Sequence, residues 1–480
     1  MNNRIMLITY ADSMGKGFAE LESILGRHFQ GAVGGLHILP FFPSSGDRGF
    51  SPLCYDTADE RFGTLDDVVR LGKKYDLMVD FMVNHISRQS PYFLDYLQKV
   101  EASPYKDFFV CYSDFWVNGE PTDDQLALIY KRKPKAPYYE AAFADGSTKK
   151  IWCTFSEEQM DLDVRTDATR AFFKDTLTAM CAMGASVIRL DAFAYAVKKP
   201  GTSCFFVEPE IWELLSSLQD IVAPQGTVLL PEIHEHYTIQ HKLAEKGYWI
   251  YDFALPVLVL YTLYSGNGEK LKLWLEKSPM KQFTTLDTHD GIGIVDVKDL
   301  LDDGEIEYVK DKLFAEGANV KRIYNTAAYN NLDIYQINTT YYSALGNQDG
   351  AYLLARAIQF FAPGIPQVYY VGLLAGQNDL ELLEKTKEGR NINRHYYSME
   401  EIDREIERPI VRNLLELMRF RNRHPAFDLE GEIQLTLPQP STLVITRKSG
   451  EHMAELTADL QSHAFTITCT GEGGYTFPAN

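Results

Sequence analysis

Four short segments of the chain carry acidic and basic side chains where apolar runs end: DFMVNH (80–85), IRLDAFAY (188–195), LLPEIH (229–234) and TTLDTHD (284–290). One acid at a strand end is equally well explained as a helix cap or an ion-pair partner. Three of them, Asp191, Glu232 and Asp290, at three strand ends and accompanied by Arg189, His85 and His289, point to chemistry. Two carboxyl groups facing one bond are what retaining glycoside cleavage requires: one attacks the anomeric carbon while the other protonates the departing oxygen. Arg189 precedes Asp191 by two residues, so on a strand it shares the same face and holds Asp191 ionised and oriented as a nucleophile. Glu232 lies among Pro231, Ile233 and His234, a partly apolar setting that favours acid/base use. Asp290 is then a third carboxylate, binding sugar hydroxyls and stabilising positive charge.

Bringing residues so far apart in sequence together needs a scaffold that gathers strand ends on one face. The chain supplies eight strand-like runs: MLITY near Met6, GLHILPF near Leu36, LMVDFMVN, SVIRLD, TVLLPE, WIYDFALP, FTTLD and PQVYYVG near Gln367. Amphipathic stretches separate several of them, including 64–75, 169–184 and 209–224, the last stopped by Pro224 and Gly226. Eight strands alternating with helices predict an α/β protein built as a closed (β/α)8 TIM barrel, whose chemistry collects at the carboxyl ends of its strands. Two long intervals break the rhythm, and such insertions tend to be lids or binding loops. The expected organisation is a catalytic barrel over 1–85, 166–290 and 347–426, an inserted domain over 86–165, and a second insertion over 291–346. A small antiparallel β domain over 427–480 is read from the alternating runs GEIQLTL, STLVITRK and AFTITCT.

The 480 residues carry a net charge of −19, and no basic run is long enough to follow a phosphate backbone, so nucleic acid is not an expected partner. The apolar stretches are short or broken by proline and glutamine, which argues against a membrane span. The amino terminus reads as a first strand and not as a secretion signal. Six scattered cysteines without CxxC pairs fit free thiols in a reducing cytoplasm. The chemistry demands no cofactor, and no His/Cys cluster has metal-ligand spacing. Oligomeric state is not readable from the sequence.

Taken in order, the four segments resemble the four signature regions of the α-amylase family of retaining glycoside hydrolases and transglycosylases. That resemblance implies the same barrel, a domain B after the third strand and a C-terminal β domain. It casts Asp191 as nucleophile, Glu232 as general acid/base and Asp290 as transition-state stabiliser, with Asp80, Asn84, His85, Arg189 and His289 in support. Thr288 departs from the family's usual asparagine at that place. LPFFPSSGDRGF, YDFALP, NNLDIYQIN, PGIPQVYYVGLLAG and NINRHYY narrow the similarity to the subgroup that moves the glucosyl unit of sucrose to phosphate, releasing fructose and α-D-glucose 1-phosphate. By that likeness Asp47 and Arg394 close the glucosyl pocket, Phe50 and Phe155 form its apolar platform, and Gln159, His85 and His289 complete the sugar contacts. In the basic loop YKRKPK, Lys133 matches a phosphate-binding position, and Tyr195, His234 and Tyr335 match the other residues around phosphate. Leu332, Asp333 and Gln336 match a fructose-contacting loop. A phosphorylase of sucrose phosphorylated on its fructose, a plain α-glucosidase or sucrose hydrolase, and a non-catalytic amylase-fold protein are the alternatives.

Overall fold

The computed structural model describes residues 1–133, 135–319, 336–471 and 475–477. The chain is a (β/α)8 barrel with inserted segments and a C-terminal antiparallel sheet. Its eight barrel strands are β1 Met6–Thr9, β2 Gly35–Ile38, β3 Asp76–Met82, β4 Ala185–Asp191, β5 Val228–Pro231, β6 Ile250–Asp252, β7 Gln282–Thr284 and β8 Ile365–Tyr369. Each coincides with one of the eight runs singled out above, four of them (β3, β4, β7 and β8) starting one residue earlier. The described residues fall into two compact units, one holding 1–37, 234–319 and 336 onward, the other 38–233.

In the first unit β6, β7, β8 and β1 are neighbours and all parallel, with Ile250 opposite Gln282, Phe283 opposite Ile365, and Met6 opposite Gln367. The last strand of the chain's barrel thus lies beside the first, the pairing that separates a closed cylinder from an open sheet. Strands β1 and β8 are buried along their whole length, so neither alternates between a buried and an exposed face, and the polar Gln367 inside β8 is itself buried. The interval after β7 folds as an antiparallel bridge, Ile292–Gly293 with Gln336–Ile337, and a helix, Asp303–Ala315. Asp302 and Glu305 start that helix by satisfying each other's backbone N–H groups. At the carboxyl end, Glu432–Gln439, Thr442–Ser449, His452–Asp459, Phe465–Cys469 and Tyr475–Phe477 form a sequential antiparallel sheet. The strand His452–Asp459 was not singled out from the sequence.

In the second unit β3, β4 and β5 are parallel neighbours. Their register sets Asp80 opposite Arg189 and Met82 opposite Asp191. The segment after β3 leaves through His85–Ser87, which pairs antiparallel with the returning Gln159–Asp161. Between them lies a hairpin, Tyr138–Ala142 with Thr148–Trp152. This excursion has its own aromatic core of Tyr112, Phe115, Trp116 and Trp152, to which Cys204 from the segment after β4 is added. The Phe115 and Trp152 rings meet edge to face at 4.9 Å, a favoured aromatic geometry. Among the described residues no helix is long and apolar enough to cross a membrane.

Candidate active site

The second unit assembles the carboxylates of β4 and β5 around one cation. Arg189 Nη1 lies 2.5 Å from Asp80 Oδ1 and 3.0 Å from Asp191 Oδ1, and its Nη2 lies 3.6 Å from Glu232 Oε1. The guanidinium is almost wholly buried, so its fork is fixed by these acids and is little screened by water. Alternation along β4 places residues 189 and 191 on the same face, and the register with β3 delivers Asp80 to that face. Immediately after Asp191 the backbone turns left-handed at Ala192 (φ 53°), which aims the Ala192 N–H at Glu232 Oε2, 3.1 Å away. The two carboxylates are therefore oriented by one arginine and one backbone amide.

The sugar-contact candidates of this unit gather around the same strands. Phe50 is buried, with the Arg189 guanidinium 5.9 Å from its ring. Its carbonyl accepts hydrogen bonds from Gln159 Nε2 at 2.9 Å and His85 Nε2 at 3.0 Å. A proton on His85 Nε2 leaves Nδ1 to accept from Asn84 Nδ2 at 3.3 Å. Burial lowers the His85 pKa below its usual value, against the pull of Asp161, so the imidazole is held neutral. Phe155 packs edge-on against both His85 (5.6 Å) and Tyr195 (5.0 Å). Asp47 sits in a short turn with positive φ and is exposed.

The structure adds a residue that the sequence did not flag. Lys198, buried, donates to Asn84 Oδ1 at 2.9 Å and to the Tyr195 carbonyl at 2.8 Å, and pairs with Asp161 Oδ2 at 2.8 Å. Asp161 also accepts from the Thr154 backbone N–H and hydroxyl. One ammonium thus ties the segment after β3, the returning strand of the insertion and the turn after β4. The lysine falls outside the four apolar-run endings, so the pattern that found the acids passes over it.

In the first unit Asp290 has its own set of cations. Arg390 Nη1 lies 3.2 Å and His289 Nε2 3.6 Å from its carboxylate. Burial alone raises a carboxyl pKa, but Arg390, His289 and Arg394 hold Asp290 well below the usual carboxylate range. Asn393 Nδ2 braces the loop by donating to the carbonyls of Thr288 and Asp290 at 3.2 and 3.1 Å. Thr288, in place of an asparagine, accepts from the Asp290 N–H at 3.1 Å. Arg394 Nε donates to the His289 carbonyl at 2.9 Å, and its guanidinium lies 5.7 Å from the Tyr10 ring. His234 stacks on Phe253 at 3.9 Å and meets Asp296 at 3.3 Å. A small cavity beside Asp290 is lined by His234, Phe253, Thr288, Gly293 and Asn393. Arg390, Asn393 and Asp296 were not read from the sequence. Of the four acceptor-loop candidates, Gln336 is half-buried in the bridge to Gly293, while Leu332, Asp333 and Tyr335 lie outside the described residues.

Lys133 in the basic loop meets a thiol: its Nζ is 2.7 Å from Cys153 Sγ. The loop is fastened at both ends, Tyr130 N–H to the Ser203 carbonyl and Cys153 N–H to the Pro137 carbonyl, each at 2.9 Å.

Residues 30–291 match the family model for the Alpha amylase catalytic domain. The chain is 59% identical over 468 residues to the sucrose phosphorylase of Streptococcus mutans, covering 97% of each protein. It is 43% identical over 482 residues to the sucrose 6(F)-phosphate phosphorylase of Thermoanaerobacterium thermosaccharolyticum, covering 99% of this chain and 98% of that one. A crystal structure of sucrose 6F-phosphate phosphorylase from Thermoanaerobacter thermosaccharolyticum superposes with a TM-score of 0.95 at 42% identity, over 100% of this chain and 99% of that chain.

Proposed function

The chain belongs to the α-amylase family, and on that premise we propose that it catalyses the reversible, retaining phosphorolysis of sucrose to α-D-glucose 1-phosphate and D-fructose. The observation that carries the chemistry is Arg189, one guanidinium 3.0 Å from Asp191 and 3.6 Å from Glu232. Two carboxylates held at one cation are the equipment of a double displacement. Asp191 attacks glucose C1 while Glu232 protonates the fructosyl oxygen, so fructose leaves and a glucosyl ester forms on Asp191. Phosphate then attacks C1 from the face that fructose vacated, and Asp191 is released with the original configuration restored.

Asp290, kept ionised by Arg390 and His289, stabilises the positive charge that develops at C1. Asp47 and Arg394 bind glucose from the closed end, with Phe50, Phe155 and Gln159 against its faces and hydroxyls. Lys133, Tyr195, His234 and Tyr335 serve phosphate, and Leu332, Asp333 and Gln336 serve fructose. Identity to the Streptococcus mutans sucrose phosphorylase supports sucrose over its fructose-phosphorylated form, the substrate in the name of the 43%-identical relative. Six cysteines outside any disulfide support a reducing compartment, the cytoplasm.

Incubation with sucrose and phosphate is expected to release α-D-glucose 1-phosphate, and Asp191→Asn to abolish it. Free glucose as the only product at saturating phosphate refutes phosphorolysis. Faster turnover of sucrose 6(F)-phosphate than of sucrose moves the assignment to the alternative substrate.

A further inference from the structure

We propose that Lys133 and Cys153 are a modification site, at which a peroxide joins them through a covalent N–O–S bridge. Cys153 is fully buried, and Lys133 Nζ lies 2.7 Å from its sulfur, closer than an ordinary N–H···S hydrogen bond. The approach is built into the fold. Cys153 directly follows the strand Thr148–Trp152, whose partner strand begins at Tyr138, directly after the basic loop. Cys153 N–H is bonded to the Pro137 carbonyl and Tyr130 N–H to the Ser203 carbonyl, each at 2.9 Å, so both ends of the loop are pinned around the lysine. The Tyr130 ring is stacked on Phe205 at 4.5 Å, which fixes the loop further. The second buried thiol, Cys204, has a different neighbourhood: its sulfur faces the Lys199 carbonyl at 3.7 Å and the Thr202 hydroxyl at 4.0 Å.

The chemistry balances with two equivalents of hydrogen peroxide. The first oxidises the Cys153 thiol to a sulfenic acid, with oxygen passing to sulfur and one water leaving. In the second, the Lys133 ammonium loses a proton to solvent and the amine nitrogen bonds to the sulfenic oxygen. One hydrogen leaves nitrogen and one leaves oxygen, reducing the second peroxide to two waters. Burial pushes the Cys153 thiol up to about 11, with Lys133 acting against it. A thiol in that state reacts slowly with bulk reagents, so the neighbouring amine decides the fate of the few sulfenic acids that form. Bridging turns the charged lysine into a neutral, tethered nitrogen. If Lys133 serves phosphate, as proposed above, the bridge withdraws the acceptor's cation and biases the glucosyl-enzyme toward water; this consequence rests on that reading, while the bridge itself does not.

The test is peptide mass spectrometry of the full-length protein after graded hydrogen peroxide. A cross-linked species is expected that joins the Lys133 and Cys153 peptides, heavier than their sum by about 14 Da (one oxygen gained, two hydrogens lost), and reversed by dithiothreitol. Cys153→Ser and Cys153→Ala, two variants of different polarity, should lack it and keep their phosphorolysis after peroxide. The proposal is overturned if Cys153 stays a thiol or advances to sulfinic acid with no link to Lys133, or if the link forms equally in the two variants. A link that forms and reverses while phosphate kinetics stay unchanged supports the modification site and removes Lys133 from phosphate binding.

Discussion

Replacing Lys198 by methionine isolates what a single buried ammonium contributes. The methionine keeps most of the stem but deletes a charge that three oxygens share at 2.8–2.9 Å, one of them the Asp161 carboxylate. The side chains of Lys198 and Asp161 are 3% and 0% exposed, so no solvent replaces the lost partner. Removing one member of a buried pair costs about 3–5 kcal/mol, because the other charge is left uncompensated. For a compact unit of some two hundred residues, each kcal/mol moves the midpoint by about 2–4 °C, so Lys198→Met should lower the Tm by roughly 10 °C. The double variant Lys198→Met/Asp161→Asn removes both charges and leaves the Thr154 N–H an oxygen to bond, so it should regain most of that loss. Differential scanning calorimetry of wild type, single and double variants at neutral pH reads this directly. A single variant melting within about 2 °C of wild type, or a double variant no better than the single, refutes the account of Lys198 as a charge tie.

Glu232→Gln should reduce turnover of sucrose by about 10²–10⁴-fold, the usual worth of a positioned general acid. Glucosyl fluoride, whose leaving group needs little protonation, should suffer much less in the first half-reaction; equal losses on both donors refute the acid role. Lys133→Met should raise the KM for phosphate by roughly 10–100-fold, as expected for one charge-assisted hydrogen bond, and increase the share of sucrose hydrolysed; an unchanged product ratio removes Lys133 from the acceptor site. His85, with its pKa lowered from 6.5 by burial, contributes stability that is complete above pH 6.5 and is lost as pH falls through the folded-state value. Denaturant titrations of His85→Gln should therefore show a shallower loss of stability below pH 6.5 than wild type, and a slope identical to wild type contradicts the buried neutral imidazole.

The barrel was legible because its strands are largely buried on both faces, so each reads as a mainly apolar run interrupted by few polar residues, such as Asp80, Arg189 and Gln367. Asp191 and Glu232 share a cation because they end consecutive strands of the parallel β3–β4–β5 set, a relation that period and order alone convey. Lys198, Arg390, Asn393 and Asp296 were missed for a common physical reason. Their roles depend on where loops fold back, and no periodicity links Lys198 to Asp161 or Arg390 to Asp290. Sequence could not foresee that Lys133, matched to a phosphate-binding position, is turned onto a buried sulfur. The strand His452–Asp459 went unread because HMAELTAD mixes exposed polar ends with small alanines, a weak version of the alternation that marks its neighbours.

The left-handed turn at Ala192 has a consequence for how mutable the reaction is. The donor that restrains Glu232 belongs to the main chain, so exchanging the side chain at 192 leaves it in place; proline alone deletes it. What constrains position 192 is its φ of 53°, which disfavours β-branched residues and tolerates glycine or asparagine. Glu232, the acid/base group of the proposed function, is thereby anchored to a part of the molecule that side-chain replacement barely touches. Drift or engineering in the surrounding pocket can then retune which acceptor is chosen while leaving the orientation of Glu232 intact.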